Sequence, residues 1–451
     1  MNTRIKNLTL QNFKKFENLS LSLHPELCVF VGDNGAGKTS VLEALSVLIS
    51  SIFPYCQYLP RIGAKPFETG HIRAWRKNVR GIERLQYADE ARISCEMYGV
   101  DASVNLTTIS VEHQKGQNRR KVSDSKLLSA LFQQANNYID GIPVFSHYGA
   151  HRGAEQGDRK RFGRKKVDYT NPCSAYINAL KPSLDFDLFL NWCRDAEHEE
   201  YIARYRKTKY IPSGLDVVRR ALEKMFETSL VKYSDPHFVS NPMRFTMVQN
   251  DGRESLSLPF DLLSDGYRAV IALVADFARR LAIANQFSDQ DPLLGRGILL
   301  IDEIDAHLHP SWQYRIISDL RRTFPNIQLI VTTHSAEVIS SIDKSCVYIM
   351  DDIENRGENI HPNLQTKGDS PEYISEAVMR SHEAYRATEE YQAYLRCLVA
   401  IENDDIAQEC FEVDKNIVIQ HYGSEHHITR SMLSKLEGLI RKKVLLARIK
   451  R

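Results

Sequence analysis

LCVFVGDNGAGKTSVLEALSVLI, residues Leu27–Ile49, is the stretch whose reading decides the fold. Leu27 to Val31 is an unbroken apolar run of strand length, and the residues after Lys38 are apolar at helical spacing. Between them stands GDNGAGKT, Gly32–Thr39, so strand, glycine-rich loop and helix follow in the order that a phosphate-binding loop needs. Gly32, Gly35 and Gly37 let backbone N–H groups turn inward around phosphate oxygens, and the helix adds the positive end of its dipole. Asn34, Gly35, Ala36, Gly37, Lys38, Thr39 and Ser40 are the expected phosphate contacts, with Lys38 reaching the outer phosphates. The Thr39 hydroxyl is a candidate ligand for Mg²⁺, a hard cation that prefers oxygen donors.

Three later segments extend the pattern. GILLIDE, Gly297–Glu303, reads as an inner parallel strand whose carboxyl end carries two acids. Asp302 is expected in the Mg²⁺ shell, and Glu303 is the candidate to polarise an attacking water. LLSDG, Leu262–Gly266, opens a strongly amphipathic helix, where Ser264 or Asp265 also suits the N-cap on structural grounds alone. VTTHS, Val331–Ser335, closes another apolar strand.

This order of motifs resembles the ABC-type ATPases, specifically the RecF/SMC-like heads. The resemblance implies an α/β fold: a two-lobed ABC-type P-loop ATPase head with a mixed sheet, a helical insertion and a helical C-terminal tail. It implies ATP and Mg²⁺ as cofactors, with Ser264 and Gly266 contacting nucleotide across a head dimer. His334 is implied as the switch histidine, beside the structural reading that any lone histidine at a strand end admits. IDAHLHPSWQ, after Glu303, is similar to the loop such heads use between subunits, in the LHP form of the RecF, OLD-nuclease and defence branch. Asp305, His307 and His309 offer no facing argument for zinc, since the histidines are spaced by two. The opening IKNLTLQNFKKFENLSLSL alternates as a hairpin does, and its QNF resembles the start of RecF/SMC heads. Lys14 and Lys15 then stand either near the phosphates or in a solvated turn.

One departure sets hydrolysis against simple occupancy as the switch. Where ABC heads carry a Mg²⁺-touching glutamine, GIPVFSHYGAHRG offers Tyr148, His151 and Arg152 and no glutamine.

At 451 residues and 43% apolar content the chain can bury a large core. No stretch is apolar for long enough to span a bilayer, and MNTRIKNLTL lacks the apolar centre of a secretory signal. The eight cysteines are scattered without CxxC pairing, as expected of reduced, packed thiols in a cytoplasmic protein. A formal charge of +2 makes no global case for nucleic acid. Locally, KGQNRRKV and DRKRFGRKK are basic, and Arg159, Lys160, Arg161, Arg164, Lys165 and Lys166 form the denser cluster, either a DNA contact or a solvated loop.

The expected organisation is a first lobe over residues 1–155, a helical insertion over 156–245, a second lobe over 246–365 and a helical region over 366–451 for partner docking or oligomerisation. LVAIENDD, with Glu402, Asp404 and Asp405, is not followed by a second strand bearing an acidic pair, so a Toprim-type nuclease is not expected in the tail. YGAHR, LHP and the short insertion make the chain resemble the PtuA-type ATPases of Septu and retron-associated antiphage defence. That resemblance implies homo-oligomers built on head dimers and a separate HNH-nuclease partner of the PtuB type. The retron variant adds a reverse transcriptase with its RNA–DNA product. The rivals are a RecF-like repair ATPase that binds DNA itself and an OLD-like self-sufficient nuclease.

Overall fold

The computed structural model describes residues 3–56, 62–79, 82–98, 106–114, 117–123, 141–150, 167–184, 186–206, 214–229, 231–238, 243–249, 256–351, 361–363, 365–379, 388–403, 406, 409–424 and 426–449. Residues 1–371 form one compact unit and 372–451 a second.

The first unit is built on two sheets with a helix between them. Strands β1 (Arg4–Phe13), β2 (Phe16–Ser22), β6 (Glu90–Tyr98), β7 (Leu106–Gln114) and β8 (Gln117–Val122) make an antiparallel sheet in the order β2-β1-β6-β7-β8. In β6, Ala91, Ile93, Cys95 and Met97 are buried and alternate with more exposed neighbours. That period of two pins the register, since a slip by one residue would put every apolar side chain in water.

The other sheet is parallel. β3 (Leu27–Val31), β9 (Val144–Tyr148), β13 (Gly297–Ile301), β14 (Ile327–Thr332) and β15 (Val347–Ile349) run in the order β15-β3-β14-β13-β9. Every residue in these five strands is buried, as expected of strands covered on both faces. Their carboxyl ends lie together, so the glycine loop, the two acids and the VTTHS segment leave the same edge of the sheet. α1 (Lys38–Ile49) packs against strands of both sheets and buries most of its surface. Gln328, the polar residue inside an otherwise apolar β14, ties the sheets together. Its amide accepts from Ile5 N at 2.8 Å and donates to Ile5 O and His24 O at 3.0 and 2.9 Å.

α2 (Phe186–Tyr205), α3 (Gly214–Met225) and α4 (Asp265–Ala284) follow. α4 was expected to be amphipathic, but from Ala269 onward it is buried all round, and α3 lays Val217, Val218, Ala221, Leu222 and Met225 in the core beside it. The region expected as a helical insertion, residues 156–245, also carries strands. β10 (Val231–Phe238), β11 (Met243–Gln249) and β12 (Leu256–Pro259) form a small antiparallel sheet, with a register shift between Ser234 and His237. β10 and the start of β11 fall in that region, and the sheet runs on into the expected second lobe. The Asp235-Pro236 pair in β10 reads locally as a break, and the bulge is where the ladder accommodates it. A further two-stranded ribbon, β4 (Ala74–Val79) with β5 (Ile82–Tyr87), stands as a sheet of its own.

The second unit carries α6 (Glu389–Glu402), α7 (Glu409–Tyr422) and α8 (His427–Ile449), numbered after α5 (Ile316–Thr323) of the first unit. Ala393, Cys397, Ile401, Phe411, Val418, Ile428 and Met432 make its core. Arg396 grips Asp414 with two bonds of 2.7 and 2.9 Å, and these hold α6 to α7. The cysteines are free thiols, and Cys410 is the exposed one. Among the described residues no helix is long and apolar enough to cross a membrane.

Candidate functional site

Gly32, Gly35 and Gly37 adopt φ of 146°, 84° and 97°. At Gly37 the requirement for glycine is double: the backbone is left-handed, and a Cβ would overlap the ring of Phe16. The tip of the β1–β2 hairpin therefore rests on the loop. Lys15 lies with its stem against Gly37, whereas Lys14 is turned away to pair with Glu43 on α1. Lys38 is buried and folds back to donate to Gly32 O at 2.6 Å and Asp33 O at 3.0 Å. Burial pushes its ammonium below the usual lysine value, against the pull of Asp351, Asp302, Glu303 and Asp33.

Thr39 and the acids of β13 meet at this edge. Thr39 Oγ1 donates to Asp302 Oδ2 at 2.9 Å, which brings the two expected Mg²⁺ ligands together across the fold. A hydroxyl and a carboxylate converging beside the loop are the oxygen donors that a hard cation takes, so the residues fit the ion. Thr332, at the end of β14, was not singled out in the sequence, yet it organises both acids. Its hydroxyl donates to Asp302 Oδ1 at 2.6 Å and accepts from Glu303 N at 2.7 Å, while its carbonyl accepts from Ile304 N at 2.9 Å. Glu303 itself is exposed with φ 48°, a region that L-residues seldom occupy and that often marks a functional position. The threonine in VTTH next to a strand end was the available signal.

His334 is exposed one turn of chain beyond β14. Its N–H points to Asp305 Oδ1 at 3.4 Å, and the same oxygen accepts from Thr333 Oγ1 at 2.6 Å. Asp305 thus shapes the segment that carries the histidine. His309 caps the short helix that follows, its Nδ1 accepting from Ser311 N. Among the described residues no group of three or more His, Cys, Asp or Glu side chains gathers as a metal site.

Ser264 occupies the N-cap position of α4, but its side chain makes no capping hydrogen bond and is exposed. Gly266 packs on the loop after β13: a Cβ there would lie 2.5 Å from the carbonyl oxygen of His307. Within one chain Gly266 is therefore next to the LHP loop.

Of the residues that the strand without a glutamine offers, Tyr148 is buried and turned into the core, donating to Asp276 Oδ2 on α4 at 2.7 Å. Its backbone carbonyl accepts from Asp302 N at 2.8 Å. Tyr148 thus joins the acidic strand to the helix that begins at Ser264. Asp276 also takes Arg279 and Arg280, both buried, and Arg280 reaches Ala175 O and Ile177 O. His151, Arg152, Asp404, Asp405 and the cluster Arg159, Lys160, Arg161, Arg164, Lys165 and Lys166 lie outside the described residues. In the other basic segment Arg120 is structural, donating to Val47 O and Ser51 Oγ at the end of α1.

Asp351, just past β15, is a second residue that the sequence reading missed. Its carboxylate accepts from Asp33 N at 2.8 Å and stands first among the acids that pull on Lys38. Asp351→Asn keeps the acceptor and removes a charge from beside the phosphate site. Nucleotide affinity is expected to rise severalfold in the variant, measured by titration with ADP and ATP; unchanged or weaker binding would show that the charge does not face the phosphates.

The family model described as "AAA domain, putative AbiEii toxin, Type IV TA system" matches residues 27–340. A protein named "Retron Vc95 probable ATPase", from Vibrio cholerae serotype O1 biovar El Tor, is 28% identical over 80% of this chain and 76% of its own length. "Septu protein PtuA" of Bacillus mycoides (strain KBAB4) is 39% identical over 73% of this chain, which spans 38% of that protein. Among solved structures, the "SMC head domain from Thermotoga maritima" covers 77% of this chain and 94% of its own, at 18% identity and a TM-score of 0.42.

Proposed function

The chain belongs to this AAA-domain family, and on that premise we propose that it is the ATP-driven sensor and scaffold of an antiphage defence complex, controlling a separate HNH nuclease. It is a P-loop ATPase. The observation that carries the chemical reading is the convergence of Thr39, Asp302 and Glu303 beside the phosphate loop, with Thr332 holding both acids. Bound between Thr39 and Asp302, Mg²⁺ would supply charge neutralisation at the outer phosphates.

The protein groups do the rest. Backbone N–H groups from Asn34 to Ser40 cradle phosphate oxygens, and Lys38 exchanges its loop carbonyls for the γ-phosphate. Glu303 orients and deprotonates the attacking water. His334, exposed just past the end of β14, senses the γ-phosphate. Ser264 and Gly266 complete the site from a second copy of the chain, which makes ATP a bridge between subunits. ATPase relatives named for Septu and retrons support the defence setting. The nuclease docks on the second unit, and in a retron setting a reverse transcriptase with its RNA–DNA product joins the assembly. The reading places the complex in the cytoplasm.

Mass determination with ATP and Mg²⁺ tests the bridge. The wild-type chain is expected to form nucleotide-dependent oligomers that Lys38→Ala abolishes. Oligomers that ignore both nucleotide and Lys38 would overturn the composite site. Deleting residues 388–451 is expected to abolish co-purification of the nuclease while phosphate release by the remaining chain continues; retained nuclease would move the docking surface to the first unit.

A further inference from the structure

The β4–β5 ribbon is not part of either large sheet and plays no part in the site. It is a two-stranded antiparallel sheet on its own, a construction that is marginal in water without a covering partner. Its register places Trp75 opposite Gln86 and Lys77 opposite Arg84. Since successive residues alternate faces, these four side chains share one face. The other face holds Ala74 opposite Tyr87, Arg76 opposite Leu85 and Asn78 opposite Glu83; here Arg76 is paired with Glu83 at 3.3 Å, and Leu85 and Tyr87 are exposed. The two faces therefore differ in kind: one is charge-balanced, and the other puts two cations directly across from each other beside an aromatic ring.

The charge pattern of that face runs against what a free-standing ribbon would choose. Like charges opposite one another weaken a strand pair, and the exposed indole of Trp75 lies on the same face as both cations. All four residues are exposed. We infer that the Trp75, Lys77, Arg84 and Gln86 face of this ribbon binds single-stranded nucleic acid, with the two cations on phosphates and Trp75 stacked on a base. The chemistry is complementary on each count. Phosphates relieve the Lys77–Arg84 repulsion, an unpaired base supplies the planar partner that a duplex withholds, and Gln86 offers donor and acceptor to a base edge.

The ribbon is also held at its base, so a bound strand would be held too. Arg73 N donates to Asn12 O at 2.8 Å, Ala88 N to Arg73 O at 2.9 Å, and Lys14 N to His71 O at 2.8 Å. Arg73 pairs with Glu17 at 2.9 Å and sets its guanidinium 6.0 Å from the Trp75 ring centroid, which supports the indole from the side of the head. These anchors sit on the hairpin tip whose Phe16 ring covers Gly37. The proposal does not depend on the nuclease assignment, and its failure would leave ATP-linked oligomers intact.

The test is fluorescence anisotropy of labelled oligothymidylate titrated with the full chain at several salt concentrations. The wild type is expected to bind, and Lys77→Glu with Arg84→Glu to weaken binding by at least about tenfold. The milder pair Lys77→Gln with Arg84→Gln should lower the slope of log affinity against log salt by roughly 1.4, two contacts' worth. Trp75→Ala should weaken binding by roughly ten- to a hundredfold, and oligothymidylate should quench tryptophan fluorescence in the wild type more than in that variant. Lys442→Glu, on α8, should bind as the wild type does. Absence of wild-type binding, equal affinity in the ribbon variants, or an equal loss in Lys442→Glu would each overturn the inference. So would tighter binding to duplex that ignores Trp75→Ala.

Discussion

Glu303→Gln is expected to cut phosphate release by roughly 10²- to 10⁴-fold while leaving ATP binding intact. The size follows from what the substitution removes and what it keeps. Glutamine has the same shape, so the N–H of residue 303 still finds Thr332 Oγ1, and the left-handed turn at φ 48° is still held by that bond and by Ile304 N on Thr332 O. Thr39 and Asp302 keep their contact, so the proposed Mg²⁺ ligands are unaltered. Only the basicity at the water is lost. The variant should therefore accumulate ATP-bound oligomers, read as mass together with single-turnover phosphate release. Release at the wild-type rate would remove Glu303 from the chemistry and leave ATP as a structural ligand.

Asp276→Ala is expected to be the most destabilising single change in the first unit. Asp276, Arg279 and Arg280 are each at most 3% exposed, and one carboxylate serves two guanidiniums and the Tyr148 hydroxyl. Without it two cations remain buried and unpaired, at a cost of about 3–5 kcal/mol. Calorimetry of the full chain should show the transition of the first unit shifted down by roughly 4–6 °C. Tyr148→Phe removes one bond to a charged acceptor and should cost only about 1.5–3 kcal/mol. Burial alone would raise the Asp276 pKa, but Arg280 and Arg279 overcome it and hold the carboxyl below the ordinary range. The stabilisation is thus complete above the unfolded carboxyl value of ~3.9 and is lost as the pH falls below it. An Asp276→Ala chain that melts with the wild type would mean that water reaches the arginines.

Local patterns were enough for the parts of the fold that are local. β3, the glycine loop and α1 are contiguous, so period and composition state them outright, and the acidic end of β13 and the VTTHS end of β14 are equally visible. What the chain does not show along its length is which strand ends become neighbours. Thr332 reaches Asp302 and Asp351 reaches Asp33 because β14 sits between β3 and β13 and β15 lies on the far side of β3, an order set by packing. The absence of a glutamine beside Tyr148 was legible, but the direction of the Tyr148 side chain was not, since its partner Asp276 lies on a helix from the other half of the first unit. β10 hid for a different reason: Asp235-Pro236 is a stop signal locally, and the fold absorbs it in a bulge.

The closeness of Gly266 to the His307 carbonyl bears on how genetics of this protein is to be interpreted. A signature glycine is usually mutated to ask whether two subunits meet, and a dead phenotype is taken as a broken handshake. Here the first casualty of a side chain at Gly266 is an intramolecular neighbour, so the allele injures the monomer before any second copy arrives. Ser264, exposed and making no capping hydrogen bond through its side chain, is the position whose loss would test the proposed meeting of subunits with least injury to the monomer.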